Sequence, residues 1–405
     1  MAVYFLFDID GVLVQPMGYR HALQSTLAYY FQQMGLPAGF LPDEDEIGFF
    51  EANRITSEWD MIPICLAAVF NQALPADLPP IETIAQALAW VKTNQPVLDR
   101  PNYRRWISDC ARLHDHQSAL ADILFVALKF NHDYSPFRHL SDHPFAEALL
   151  NNSRDFMKNE VSRTFQNHVL GENIFRDYYP RLPSLPVRSS LLEFDRPLIP
   201  QSEQQKLKSL LQSGKIKAAA MTLRPNHYSN YATNGRGSLA GYSPEADIAI
   251  RLTGMEPLPV AGYGTLLYLA QKHDLSVDHI VKPSALHALV GLFLAARNSP
   301  EMVDEALRWF IKLSNPLKPP STTPVNIPVF GKGRFQVHVF EDSPNGILAA
   351  IQATELLKCA GCAVELHAWG ISSHPDKRSA LMNLGAVVTT TTEQALHRAY
   401  QKLSN

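Results

Sequence analysis

The stretch that decides the fold is Tyr4-Phe5-Leu6-Phe7-Asp8-Ile9-Asp10-Gly11-Val12-Leu13. Its apolar run is typical of a buried strand and ends in two carboxylates that flank one residue. Asp8 and Asp10 share a face of an extended strand, and Gly11 permits a bend that aims them differently. Two carboxylates this close repel each other unless Mg²⁺ lies between them or one acid holds a proton. Alone, the stretch is equally compatible with a solvated acid pair after a strand.

Three later segments also place polar residues after apolar runs. Ile216 to Thr222 ends in a hydroxyl, Ile280 to Ser284 carries Lys282, and Phe335 to Gly346 runs into the acidic pair Glu341-Asp342. Alone, these are compatible with a strand-end hydroxyl, a solvated loop cation and an acidic pair at a helix N-terminus. Hydrophobic periodicity predicts a helix beside each segment, over residues 202–212, 285–296 and 348–357.

In chain order, the four segments resemble the four motifs of the haloacid dehalogenase superfamily, each expected at the carboxyl end of a strand. The resemblance implies an α/β fold, with a doubly wound, Rossmann-like parallel-sheet core and a large all-α cap domain inserted after the first strand. Ligands of such sheets bind outside the carboxyl ends of the strands, so the site is expected there.

The requirements of phosphoryl transfer suggest a role for each residue. Asp8 would attack phosphorus and form an aspartyl-phosphate, while Asp10 would protonate the leaving oxygen and later take a proton from water. Thr222 and Lys282 would meet the negative charge that spreads over the phosphoryl oxygens. Mg²⁺ prefers oxygen ligands, for which the resemblance suggests Asp8, the Asp10 carbonyl, Asp342 and Glu341.

The chain of 405 residues exceeds the usual size of one core. We expect the core over residues 1–14 and 201–405, and the enlarged helical cap over 15–200. Periodicity predicts cap helices at 19–34, 81–92, 103–130 and 144–165, followed by an irregular, proline-punctuated return. A second proline-rich stretch (Pro316, Pro319, Pro320, Pro324 and Pro328) predicts a surface loop between Lys282 and Glu341. The C-terminal region is expected to continue the α/β alternation, with strands at 363–369 and 386–389 and a helix at 377–384.

Composition argues against several classes of function. The net charge is −3, with scattered basic residues, so no nucleic-acid partner is expected. No apolar stretch is long enough to span a membrane, and four cysteines without a secretion signal favour the cytoplasm. The Cys359-Ala360-Gly361-Cys362 segment lacks a matching second pair for zinc, and His114-Asp115-His116 is interpreted as exposed polar sequence.

The predicted function is that of a Mg²⁺-dependent phosphatase that hydrolyses a small phosphorylated metabolite. Candidates for holding the substrate are His21, Arg20, Arg224 and His227. A phosphomutase of the beta-phosphoglucomutase type is an alternative, although Gln15 stands where the related pattern often has an acid. A weakly catalytic ligand- or protein-binding module is another. The sequence leaves the substrate and the oligomeric state open.

Overall fold

The structure is a computed structural model that describes residues 1–75, 77–115, 118–228, 241–314, 327–331 and 334–403. The chain forms two compact units. One consists of Met1–Pro16 and Asp195–Asn405, and the other of Met17–Phe194. Among the described residues, no helix combines the length and apolar character that are needed to cross a bilayer.

The first unit is built around a parallel sheet. The strands are β1 (Ala2–Phe7), β2 (Val14–Gln15), β3 (Arg196–Pro197), β4 (Lys217–Met221), β5 (Val260–Ala261), β6 (Phe335–Glu341), β7 (Val364–Ile371) and β8 (Val387–Thr389). Six of them form one sheet in the order β5-β4-β1-β6-β7-β8, and all its pairs are parallel. The short β2 and β3 form a separate antiparallel ribbon.

Both faces of this sheet are buried. On β1, Tyr4 and Leu6 pack into one apolar cluster, whereas Phe5 and Phe7 pack into a second cluster on the opposite face. A strand that is covered on both faces reads as a continuous apolar run, which is why β1 could be predicted. From β1 the sheet grows first through β4 and β5, and then on the other side through β6, β7 and β8. This is the predicted doubly wound α/β fold.

The described part of the second unit is helical. Its helices are α1 (Met17–Met34), α2 (Glu44–Ala52), α3 (Glu58–Ala73), α4 (Ile84–Asn94), α5 (Tyr103–Ala111), α6 (Leu120–Phe130), α7 (Phe145–Leu150), α8 (Glu160–Tyr178) and α9 (Ser190–Phe194). The helix predicted over 103–130 is wrong, because α5 ends at Ala111, α6 begins only at Leu120, and between them the Asp115 side chain accepts from the Ser118 N–H. The helix predicted over 144–165 is likewise divided, since Asn159 caps a new helix by accepting from Ser162 N.

The helices of the first unit flank the sheet. They are α10 (Gln201–Gln212), α11 (Glu245–Leu252), α12 (Tyr263–His273), α13 (Ala285–Ala296), α14 (Glu301–Leu313), α15 (Pro344–Cys359), α16 (Pro375–Asn383) and α17 (Thr392–Leu403). The ranges predicted near α10, α13, α15 and α16 therefore contain helices. Of these, α13 is buried on nearly all sides.

One prediction for the third motif is wrong. Lys282 does not end a strand: it follows a 3₁₀ turn at Val277–His279. The loop predicted at the second proline-rich stretch follows α13 and α14; of its prolines, Pro328 is described and exposed, whereas the neighbouring Ile327 and Phe330 are buried in the core. The prolines at 316, 319, 320 and 324 lie outside the described residues.

Candidate active site

Three neighbouring strands deliver polar side chains to one edge of the sheet. The register pairs Phe7 of β1 with Ala220 of β4 and with Phe340 of β6. The next residue on β1 is Asp8, whose N–H donates to the Phe340 carbonyl at 2.9 Å. Thr222 directly follows β4, and Glu341 is the last residue of β6. The motif residues of these strands therefore meet at the carboxyl edge.

A tight turn after β1 aims Asp10 away from the strand direction. The N–H groups of Leu13 and Val14 both donate to the Ile9 carbonyl at 2.9 Å. Gly11 has a φ of 71°, and a Cβ there would lie 2.7 Å from Asp342 Oδ2. Glycine at this position therefore permits both the bend and the close approach of Asp342.

Three carboxylates converge at this edge. Asp8, Glu341 and Asp342 each offer one oxygen, and these oxygens lie within 4.8 Å of one another. Among the described residues they form the one group of three or more potential metal-ligating side chains. Oxygen atoms at this spacing suit Mg²⁺, and the Asp10 side chain is not part of the group.

Burial and mutual repulsion act on these acids. Burial, together with the Asp8 charge, raises the pKa of Glu341 well above its ordinary value, although Lys282 opposes the shift. Burial also raises the pKa of Asp342, aided by the Asp8 charge and opposed by Lys377, whose Nζ lies 3.1 Å from Asp342 Oδ2. A cation bound among the carboxylates would relieve this repulsion.

Lys282 supplies a buried positive charge to the same cluster. Its Nζ lies 3.0 Å from Asp8 Oδ1 and 2.5 Å from Glu341 Oε1, with only 3% of the side chain exposed. Burial acts to lower the pKa of Lys282, but the charges of Asp8 and Glu341 outweigh it and raise the pKa above its ordinary value. Lys282 is therefore a fixed cation beside the predicted nucleophile.

A buried arginine holds the predicted acid–base residue. Arg224 Nε lies 2.9 Å from Asp10 Oδ1, and Nη2 lies 2.6 Å from the same oxygen. On its other side, Arg224 Nη1 lies 2.9 Å from Asp195 Oδ2, with both side chains almost fully buried. The Arg224 N–H also donates to Thr222 Oγ1 at 3.1 Å. Arg224 thus engages Asp10, and its predicted contact with substrate stays a prediction.

Asp195 was not identified by sequence reasoning. It belongs to no motif and lies 29 positions before Arg224, just before β3. In the sequence, Asp195 is only an acid next to the proline-rich return of the chain. Nothing in the sequence distinguishes it from a solvated acid in a loop.

The other three predicted substrate contacts have other partners within their own units. Arg20 and His21 belong to the helical unit, where Arg20 pairs with Glu44 and Glu51. The His21 ring stacks on Phe194 at 3.7 Å between centroids. His227 follows the β4 edge in the first unit, and its N–H donates to Asp247 Oδ2 at 2.8 Å. Whether any of them binds substrate stays a prediction.

The cysteines are all reduced. Cys65 and Cys110 are buried, and burial raises the pKa of both thiols. Cys359 is exposed and Cys362 is partly buried, without a disulfide between them. His116 lies outside the described residues.

No protein-family model and no curated protein matches this sequence. Solved structures do match. The X-ray structure of a Northeast Structural Genomics Consortium target has a TM-score of 0.62 at 14% identity, over 99% of this chain and 98% of that one. Phosphatase Tt82 from Thermococcus thioreducens has a TM-score of 0.42 at 12% identity, over 94% of this chain and 99% of that one. A Thermotoga maritima protein assigned as a beta-phosphoglucomutase has a TM-score of 0.36 at 15% identity, over 99% of both chains.

At such identities the likeness concerns the fold alone. In this chain the motif residues gather at the carboxyl edge of a doubly wound parallel sheet, and a helical unit is inserted after the first strand. The chain therefore has the doubly wound α/β fold with a helical insertion that its sequence predicted.

Proposed function

We propose that this chain is a Mg²⁺-dependent phosphatase that hydrolyses a small phosphorylated metabolite through an aspartyl-phosphate on Asp8. The observation that carries the proposal is the convergence of Asp8, Glu341 and Asp342, with Lys282 Nζ 3.0 Å from Asp8. Fold alone would not support it, because one fold serves many functions.

The donor set suits a hard divalent cation. Asp8, Glu341 and Asp342 would hold it together with the Asp10 carbonyl, since three carboxylates beside one buried lysine leave excess negative charge. When bound, Mg²⁺ would neutralise phosphoryl charge and orient the phosphate toward Asp8.

The chain's own residues would perform the covalent and proton-transfer steps. The Asp8 carboxylate attacks phosphorus as the bond to the leaving oxygen breaks, and Asp10 gives that oxygen a proton. Asp10 then takes a proton from water, which attacks the aspartyl-phosphate and releases phosphate. Lys282 and the Thr222 hydroxyl stabilise the charge on the phosphoryl oxygens in both steps.

The test is phosphate release from a panel of phosphorylated metabolites and an aryl phosphate, with and without Mg²⁺. The native chain is compared with Asp8→Asn and with Asp304→Asn as a control. Asp304 lies in α14, where it pairs with Lys272. We expect metal-dependent turnover that Asp8→Asn abolishes and Asp304→Asn retains. Turnover that persists in Asp8→Asn, or no turnover by the native chain, would contradict the proposal.

Two finer points stay predictions. They are the role of the helical unit as a substrate-selective cap and a cytoplasmic location. The best substrate in the panel would indicate the substrate class. Phosphate transfer to a second hydroxyl of the substrate, in place of release, would indicate the phosphomutase alternative.

A further inference from the structure

Lys282 reaches the site without a strand to carry it. Asp8, Thr222 and Glu341 are held by the hydrogen bonds of the sheet, whereas Lys282 follows a 3₁₀ turn and precedes α13. Because the Lys282 side chain must lie within hydrogen-bonding distance of Asp8 and Glu341, contacts other than sheet hydrogen bonds must hold its backbone in place.

A buried histidine provides that fixation. His287, in the first turns of α13, is fully buried. The Lys282 N–H donates to His287 Nδ1 at 3.0 Å, and His287 Nε2 lies 2.9 Å from the Ala261 carbonyl oxygen. A carbonyl only accepts, so Nε2 carries the proton and Nδ1 is the acceptor. One neutral tautomer therefore satisfies both bonds.

The anchoring point on β5 is shared with another motif residue. The Ala261 carbonyl, which ends β5, also accepts from the Thr222 N–H at 3.1 Å. The backbones of Thr222 and Lys282 are thus connected through one carbonyl and the His287 ring. Burial, together with the nearby Lys282 charge, lowers the pKa of His287 to about 3, so the ring is neutral at ordinary pH.

We propose that His287 is a positioning residue for Lys282, which ties the Lys282 backbone to the end of β5 and so places the ammonium group against Asp8 and Glu341. The effect on phosphoryl transfer rests on the proposed function. The hydrogen-bonded bridge itself does not.

The helical unit offers a matched control. His143 is also buried, and its Nδ1 accepts from the Ile81 N–H at 3.1 Å. Replacing His143 by Leu removes the same kind of bond from the same kind of environment, but it leaves the Lys282 segment intact.

The kinetic test is a double-mutant cycle. We expect His287→Leu to lower kcat by about 100-fold through misplacement of Lys282, with partial recovery in His287→Gln, which can donate and accept. In a Lys282→Met background, His287→Leu should change kcat by less than about twofold, because its effect passes through Lys282. An equal loss in that background, or an equal loss in His143→Leu, would overturn the proposal.

A second measurement needs no turnover and separates failure of this proposal from failure of the proposed function. Nitrogen-15 NMR should show the His287 ring protonated at Nε2, and the Lys282 amide should exchange slowly in the native chain. Exchange of that amide should accelerate in His287→Leu and not in His143→Leu. A ring protonated at Nδ1, or unchanged Lys282 exchange, would overturn the bridge even in a chain that hydrolyses no phosphate ester.

Discussion

At the scale of single residues, Gly11 makes room for Asp342 and Gly346 makes room for Glu341. A Cβ on Gly346 would lie 1.7 Å from Glu341 Oε1, which no rotamer adjustment of the new methyl can relieve. The Glu341 side chain therefore occupies the space that any residue other than glycine would fill. This gives a physical reason for the glycine that closes the fourth motif, whereas the sequence suggested only a match of pattern.

Gly346→Ala should displace Glu341 and disturb its contact with Lys282. We expect phosphate release to fall by about tenfold or more, and the free energy of unfolding to fall by about 1–3 kcal/mol, as for an overpacked core. Gly48→Ala is the control, since a Cβ there meets nothing within 4 Å in α2. That change should be neutral or stabilise by about 0.5–1 kcal/mol. Urea unfolding and phosphate release measure both effects, and equal behaviour of the two variants would refute this explanation.

The buried arginine gives a second prediction at the same scale. Arg224→Met leaves Asp195 buried opposite an apolar side chain, so the free energy of unfolding should fall by about 3–5 kcal/mol. Arg251→Met serves for comparison, because Arg251 is 72% exposed and pairs with Glu256 at 3.4 Å. It should cost less than about 1 kcal/mol. Urea unfolding measures both changes. If the free energy of unfolding falls no further in Arg224→Met than in Arg251→Met, an unpaired Asp195 carries no large cost and this prediction is contradicted.

At the scale of elements, the central strands and their motif residues were predictable. β1, β4 and β6 are covered on both faces, and their apolar runs end where the sheet ends. The two-residue β5 is too short to give a pattern. Consequently, the sequence does not predict the bridge through Ala261. The apolar residues before Lys282 resemble a strand end, although no strand precedes it there.

Helix boundaries were less predictable because local polar bonds, which periodicity does not register, interrupt continuous apolar patterns. Two examples are the Asp115 side chain, which accepts from the Ser118 N–H, and the cap formed by Asn159. A third is Gly171, whose φ of 75° breaks the course of α8. A Cβ on that glycine would lie 2.4 Å from Ser189 N, so the close approach of another segment requires glycine there.

The centre of β6 carries a group that titrates on unfolding. His338 is fully buried, and burial, aided by the charges of His367 and Lys402, lowers its pKa to about 3. The unfolded chain, with a histidine pKa of about 6.5, binds this proton more readily. The contribution of neutral His338 is therefore complete above about pH 6.5 and is lost progressively as the pH falls toward 3.

We expect His338→Leu to reduce the acid sensitivity of the fold. Between pH 7 and pH 4.5, the native chain should lose about 2–3 kcal/mol more unfolding free energy than the variant, from a pKa difference spanning about two pH units. Urea unfolding at the two pH values measures the difference. Parallel losses in both proteins would mean that His338 does not remain neutral in the folded chain.

At the scale of the whole molecule, the sequence predicted a parallel α/β core interrupted by a helical insertion. The structure has one α/β unit and one helical unit, Met17–Phe194. The order of the motifs along the chain predicted the parallel core, because parallel strands bring their carboxyl ends, and the motif residues that follow them, to one edge of the sheet. What the sequence could not supply are contacts between residues far apart in the chain. The Asp195–Arg224–Asp10 chain of ion pairs is the main example.

The proposed mechanism requires that Asp8 becomes covalently phosphorylated during turnover. The most direct measurement is to quench the reacting chain, reduce any acyl phosphate with borohydride, and locate the resulting homoserine by mass spectrometry. Homoserine is expected at position 8, formed only when both substrate and Mg²⁺ are present. Turnover without modification of Asp8, or modification of a different carboxylate, would contradict it.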